Sequence, residues 1–196
     1  MQRKYIVILI IILLGTGIFI GNTLTNKIRV NHDMHQMSDG SVMKNSDHAH
    51  HMMTVSSQKD FLEQMIPHNQ EAIDTAKEVL ARGGTTPEIK NLAENIIIAQ
   101  EKEVAQMKQW YFDWYNEVYT GTNSYKPMMR DLSQLSGTEL DKVFLEDMVV
   151  HHMGAIQMAQ SVKPYIEKDE IRNLVQAIIE TQSVEIREMQ MILKKL

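Results

Sequence analysis

The sequence predicts an all-α protein whose main body is a four-helix bundle made of two repeated helical hairpins. Three observations carry this expectation. After residue 56, four stretches keep apolar residues on the 3.6-residue beat of an amphipathic helix. Capping and breaking residues separate those stretches. The first pair also recurs in the second. Phe61-Leu62-Glu63 returns as Phe144-Leu145-Glu146, Met65 and His68 as Met148 and His151, and Ala72-Ile73 as Ala155-Ile156. Glu88, Asn91, Leu92, Glu103 and Met107 return as Glu170, Asn173, Leu174, Glu185 and Met189. Neither hairpin alone can bury its apolar stripe, whereas two packed together can.

Residues 1–28 form the first element. Arg3 and Lys4 precede Tyr5–Ile20, which carries no charge. Those 16 residues reach about 24 Å as a helix at ~1.5 Å each, and Gly21 to Leu24 extend it toward the roughly 30 Å hydrocarbon core of a bilayer. An apolar helix with no polar face reads as an N-terminal transmembrane or signal helix. The preferred expectation is an uncleaved anchor, because no A-x-A-like cleavage site follows; a cleaved signal peptide is the alternative. Either places the remaining chain outside the cytoplasm, tethered to the cell membrane or secreted.

Residues 29–56 read as a flexible linker. Within residues 31–53 lie five histidines (His32, His35, His48, His50, His51) and five methionines (Met34, Met37, Met43, Met52, Met53), with almost no other apolar side chain. Such a tract cannot bury a core. Its density of imidazole and thioether suits metal capture better than a plain solvated spacer.

The bundle is expected over residues 57–196. Ser57 with Asp60 resembles a capping box before the stripe Phe61, Met65, Ala72, Ile73, Ala76 and Leu80, and Gly83-Gly84 stops the first helix. Thr86 caps a second helix with Pro87 in its first turn. Its stripe is Leu92, Ile96, Ala99, Glu103, Met107 and Trp110. An aromatic crossover over residues 110–135 continues that helix at first and then becomes loop. Ser136 with Glu139, or Thr138 with Asp141, opens the third helix, which Lys163-Pro164 ends or kinks. The fourth runs from about Asp169 to the C-terminus.

Composition narrows the function. The formal net charge of −5 and the lack of a basic patch argue against nucleic acid as a partner. With no cysteine, disulfides, zinc-thiolate sites and thiol catalysis are excluded. No Ser-His-Asp arrangement, P-loop or dinucleotide fingerprint stands out.

The repeated Met-x-x-His is the most informative feature. Di-iron bundles place Glu-x-x-His at this position. Here Met65 stands three residues before His68, and Met148 three before His151. Thioether is soft and uncharged, so it suits Cu(I) and, by the same logic, Ag(I). Neutral imidazole completes such a site. Methionine at helical spacing is usually core, and a lone inward histidine is usually satisfied by a hydrogen bond. The repetition, the His151-His152 pair and the His/Met linker together favour metal. Glu103 and Glu185 serve either as hydrogen-bond partners of these rings or as groups that orient ligating ones.

"MIPHNQEAIDTA" and "MVVHHMGAIQMA", each followed by a helix ending in Glu-x-x-x-Met, resemble the bacterial family catalogued as domain of unknown function 305. That resemblance covers residues 57–196. It implies an exported, ferritin-like helical protein, and CopM-type members of the family bind copper. It further implies Met148, His151, His152 and Met158 as the fuller ligand set. The first half departs from the pattern at Asn69 and Thr75, the second at Val150 and Met153.

The expected ligands are thus Met148, His151, His152, Met158, Met65, His68, Met107 and Met189. Glu103 and Glu185 stand behind them, and His32, Met34, His35, Met37, His48, His50, His51, Met52 and Met53 serve in the linker. The expected function is that of a non-enzymatic, membrane-tethered copper or silver binder for sequestration, relay or tolerance. A protein that exchanges metal with it, or a second copy of the chain, would be its partner. The alternatives are a ferritin-like redox metalloenzyme and a metal-free helical interaction module.

Overall fold

The computed structural model describes residues 53–121 and 125–196. The anchor expected over 1–28, and the linker donors His32, Met34, His35, Met37, His48, His50, His51 and Met52, lie outside the described residues. Among the described residues no helix is long and apolar enough to cross a membrane. Four helices follow one another: α1 Gln58–Arg82, α2 Pro87–Tyr115, α3 Gly137–Ser161 and α4 Asp169–Leu193, with a 3-10 turn at Lys163–Tyr165 before α4.

Local chemistry sets the helix ends. The Ser57 hydroxyl accepts the Asp60 N–H at 3.0 Å. Asp60 reaches back one residue further than a capping box requires, accepting from the Ser56 N–H and hydroxyl at 2.8 and 2.9 Å. Packing also begins ahead of the cap: Val55 is buried, and its N–H donates to the Ser161 hydroxyl at 3.0 Å. Thr86 caps α2 through the Ile89 N–H at 3.3 Å, with Pro87 leading. Asn116, in the left-handed region at φ 53°, ends it.

The α1–α2 turn is held by a residue the sequence assigned elsewhere. Asp141 is fully buried, and instead of capping α3 it accepts from the Gly84 N–H (2.6 Å), the Thr85 N–H (2.8 Å) and the Thr85 hydroxyl (2.6 Å). At the start of α3, Ser136 occupies the N-cap without a side-chain hydrogen bond. The glycine pair answers to this contact. A Cβ on Gly83 would lie 2.5 Å from Asp141 Oδ1, and Gly84 has φ +64°.

Two apolar clusters fill the interior. One joins Phe61, Leu62 and Met65 of α1 to Val104, Met107 and Tyr111 of α2, to Met158, Ala159 and Val162 near the end of α3, and to Ile171, Leu174 and Ile178 of early α4. The other joins the opposite halves: Ala76 and Val79, Ile89 and Ile96, Leu140, Phe144 and Met148, and Met189 and Ile192. The N-terminal half of α1 therefore packs on the C-terminal half of α3. These two helices run antiparallel and cross at mid-length.

Residues 116–121 and 125–136 lie along α1. The Tyr119 hydroxyl donates to the Glu63 carbonyl at 3.4 Å. Pro67, four residues on, has no N–H to bond that carbonyl within the helix. Glu71 holds the middle of the crossover. At its end Arg82 donates to the carbonyls of Leu135 (2.6 Å) and Leu132 (3.0 Å), and Arg130 pairs with Asp147 and Glu146 on α3.

Replacing Asp141 with alanine strips three bonds from a buried turn and leaves the Gly84 N–H without its acceptor. Urea denaturation should show a loss of about 2–4 kcal/mol, and a change below about 0.5 kcal/mol would contradict this role.

Candidate metal centre

Between the two apolar clusters lies a polar layer at mid-bundle. It contains His68 and Asn69 of α1, Gln100 and Glu103 of α2, His151 and His152 of α3, and Gln182 and Glu185 of α4. Every histidine of the described chain is here, each with no exposed surface. The helix crossing makes the layer: His68 and His151, repeat equivalents, stack with ring centroids 3.6 Å apart and planes at 32°.

The layer follows the repeat. Asn69 Nδ2 donates to Glu103 Oε2 at 2.8 Å within the first hairpin. At the equivalent place in the second, His152 Nε2 meets Glu185 Oε2 at 2.8 Å. In the tautomer that carries its N–H on Nε2, facing the carboxylate, Nδ1 of His152 is left to present a lone pair. Carboxylates behind metal-binding histidines fix tautomer and ring orientation in this way. Of the alternatives for Glu103 and Glu185, Glu185 bonds a ring and Glu103 bonds an amide.

The remaining imidazole nitrogens have no hydrogen-bond partner among the described residues. These are both nitrogens of His68, both of His151, and Nδ1 of His152. His151 Nε2 lies 3.4 Å from Glu71 Oε2, close enough for attraction but not for a well-formed hydrogen bond. Buried polar atoms in folded proteins are nearly always paired, so five unpaired nitrogens in one layer are exceptional. Asn69 Oδ1, Gln100 Oε1 and Gln182 Oε1 are also unpaired.

Burial pushes His68 well below the ordinary histidine value, and His151 and His152 lower it further. Burial also lowers His151, against the opposing pull of Glu71. Both rings are therefore neutral at pH 7, the form that ligates a metal. Burial raises Glu103 to about 6, with the Asn69 hydrogen bond opposing and Glu185 adding to the rise.

The thioethers expected as ligands are all buried, and they divide by layer. Met65, Met107 and Met158 belong to one apolar cluster, Met148 and Met189 to the other. The set Met148, His151, His152 and Met158 therefore draws its two methionines from the clusters on opposite sides of the imidazole layer. Among the described residues, no three His, Asp or Glu side chains converge as a ligand cage.

Sequence reasoning missed two contributors. Glu71 stands one turn after His68. Burial alone would raise its carboxyl, but contacts from His151, the Tyr125 hydroxyl and the Met129 N–H hold it below the ordinary value. It accepts the N–H groups of Met128 (2.9 Å) and Met129 (3.0 Å) as well as the Tyr125 hydroxyl. Met128 is the other; its crossover carries no repeat to mark it. The His68-x-x-Glu71 spacing, one helical turn, was the available signal for Glu71. An open cleft of about 460 Å³ follows α1, lined by Pro67, Glu71, Asp74, Lys108 and Tyr119 among others, and meets the layer at Glu71.

A family profile described as a domain of unknown function (DUF305) matches residues 22–111 and 58–193. Solved structures similar to this fold include CopM in the Cu(I)-bound form, 34% identical, covering 71% of this chain and 97% of that one with a TM-score of 0.64. CopM soaked with silver is likewise 34% identical over 71% and 97%, with a TM-score of 0.63. A DUF305 fragment from Deinococcus radiodurans is 26% identical over 73% and 99%, with a TM-score of 0.62. A search of curated proteins finds no match.

The neutral histidines make stability depend on pH. With folded-state values below the ordinary 6.5, the unfolded chain binds more protons in that window, so stability falls on acidification through it. Glu103 opposes this: raised from 4.5 to about 6, it contributes stability at low pH that is lost as pH rises through 6. Two rings outweigh one carboxyl between pH 7 and 6. Denaturation of the metal-free chain should show lower stability at pH 6 than at pH 7. A flat or rising profile would contradict neutral burial.

Proposed function

The chain belongs to the DUF305 family, and from that premise we propose that it binds soft metal ions, Cu(I) and Ag(I), in the histidine layer of its bundle. The observation that carries this reading is the set of five buried imidazole nitrogens without a partner among the described residues. An ion bound there supplies the missing partner. The layer offers buried imidazoles between two clusters that each hold methionines, a donor set that fits a soft monovalent ion. The ligands are His68, His151 and His152 Nδ1 with Met65, Met148, Met158, Met107 and Met189 around them. Glu185 orients His152. The similarity to CopM, solved with Cu(I) and with silver, supports the same choice of ion.

In this reading the protein sequesters or relays metal rather than turning over a substrate. The apolar segment Tyr5–Ile20 holds the bundle outside the membrane, or is removed on export. The His/Met tract gathers ions and passes them inward, and a metal-exchange partner or a second copy of the chain takes them on. Metal tolerance is the physiological consequence.

Competition of the full chain against a Cu(I) chelator tests this. His151→Ala combined with His152→Ala should weaken binding at least about 10-fold, with circular dichroism confirming the helices. Unchanged affinity would refute the site. Because the ion binds the folded state, Ag(I) at about 100 times its Kd should add roughly 2.7 kcal/mol of stability. An unchanged melting temperature would favour a metal-free module.

A further inference from the structure

Gly154 is the one glycine in the interior of a helix among the described residues, in α3 one turn after His151. A glycine weakens a helix, so a close approach is a reason to look for. The place where its Cβ would stand is bordered by two methionine side chains and a histidine nitrogen. Met53 Sδ lies 3.0 Å from that point, the Met128 ε-methyl 3.3 Å and His68 Nε2 3.4 Å. The His68 nitrogen is one of the five without a partner, on a side chain with no exposed surface.

Two separate pieces of chain are fastened so that their methionines meet here. The Met53 N–H donates to Gln157 Oε1 at 3.3 Å, and the Val55 N–H to the Ser161 hydroxyl, which ties the end of the His/Met tract to α3. Glu71 accepts the Met128 and Met129 N–H groups, which ties the crossover to α1. Glu71 and Gly154 are repeat equivalents. One carries the side chain that anchors the crossover, and the other lacks the side chain that would block it.

Met53 and Met128 are half-buried, whereas His68 and His151 are fully buried. The cluster thus spans the boundary between solvent and the histidine layer. We propose that Met53, Met128 and His68 Nε2 form an entry site for Cu(I) or Ag(I) over Gly154, where two thioethers take the ion from the His/Met tract and deliver it to the His68–His151 stack. This rests on the metal-binding reading above and adds to it a port that shares His68 with the layer and brings two further thioethers. Methionine side chains have three rotatable bonds, so the sulfurs can turn onto an ion while both backbones stay anchored. Two thioethers and one neutral imidazole make a three-coordinate soft-donor set, which Cu(I) accepts and a hard divalent ion does not favour. The last residue of the tract is already docked at the port, so transfer inward needs no large movement of the bundle.

The test uses the full chain labelled with 13C at methionine ε-methyl groups and titrated with Ag(I). Met53→Leu and Met128→Leu assign the two signals and remove sulfur while keeping bulk. Both methyl resonances should move at sub-stoichiometric silver. The double variant should bind silver at least 10-fold more weakly or more slowly, with the helices intact. Gly154→Ala should reduce the two shifts without unfolding the helix, since alanine favours helix and its methyl occupies the meeting point. If the two resonances stay still while buried methionine signals move, the port is refuted and the metal-binding reading stands. If the wild-type chain takes up no silver, both fall.

Discussion

The fold turns on one constraint: three imidazoles must be buried where two antiparallel helices cross. Apolar clusters on either side supply the hydrophobic drive, and each is complete without the layer. The layer itself pulls the other way, because an unpaired buried nitrogen costs about 1–3 kcal/mol. Domains retain only about 5–15 kcal/mol of net stability, so several such atoms weigh heavily. A leucine layer would pack without that penalty. Local rules broken in the middle of an otherwise consistent bundle are what a functional site looks like, and an ion with affinity for neutral imidazole removes the conflict.

The two hairpins are related by the repeat, and the places where the relation fails are informative. Asn69 stands opposite His152: an amide bonds its carboxylate in one half, and a ring whose Nδ1 has no partner among the described residues does so in the other. Glu71 stands opposite Gly154. The first fastens the returning crossover, and the second leaves room for what the crossover brings. The asymmetry turns a structurally duplicated scaffold into a layer with one anchored side and one open side. Pro67 fits the same pattern, since the carbonyl it frees at Glu63 is taken up by Tyr119 of that crossover.

Much of the scaffold was legible in the sequence. Ser57, Gly83-Gly84, Thr86-Pro87 and Lys163-Pro164 punctuate the chain where the helices begin and end, because capping and breaking are local effects. The repeat identified His68 with His151 and Glu103 with Glu185, and those pairs lie in one layer. Three things were hidden. Asp141 read as a cap for its own helix, yet it serves a turn 56 residues away in the chain. Glu71 and Met128 act through the crossover, which has no periodicity and no repeat. The division of the methionines between two clusters depends on the antiparallel crossing of α1 and α3. Helical spacing places a residue on a face, but it does not say which half of the partner helix that face meets.

The central claim is that imidazole and thioether together, rather than oxygen, meet the ion. X-ray absorption at the copper edge of the full chain carrying one equivalent of Cu(I) tests it most directly. The account predicts a low-coordinate first shell containing both imidazole nitrogen and sulfur, with the nitrogen contribution lost when His68, His151 and His152 are all replaced. A shell of oxygen alone, or one unchanged by those replacements, would contradict it.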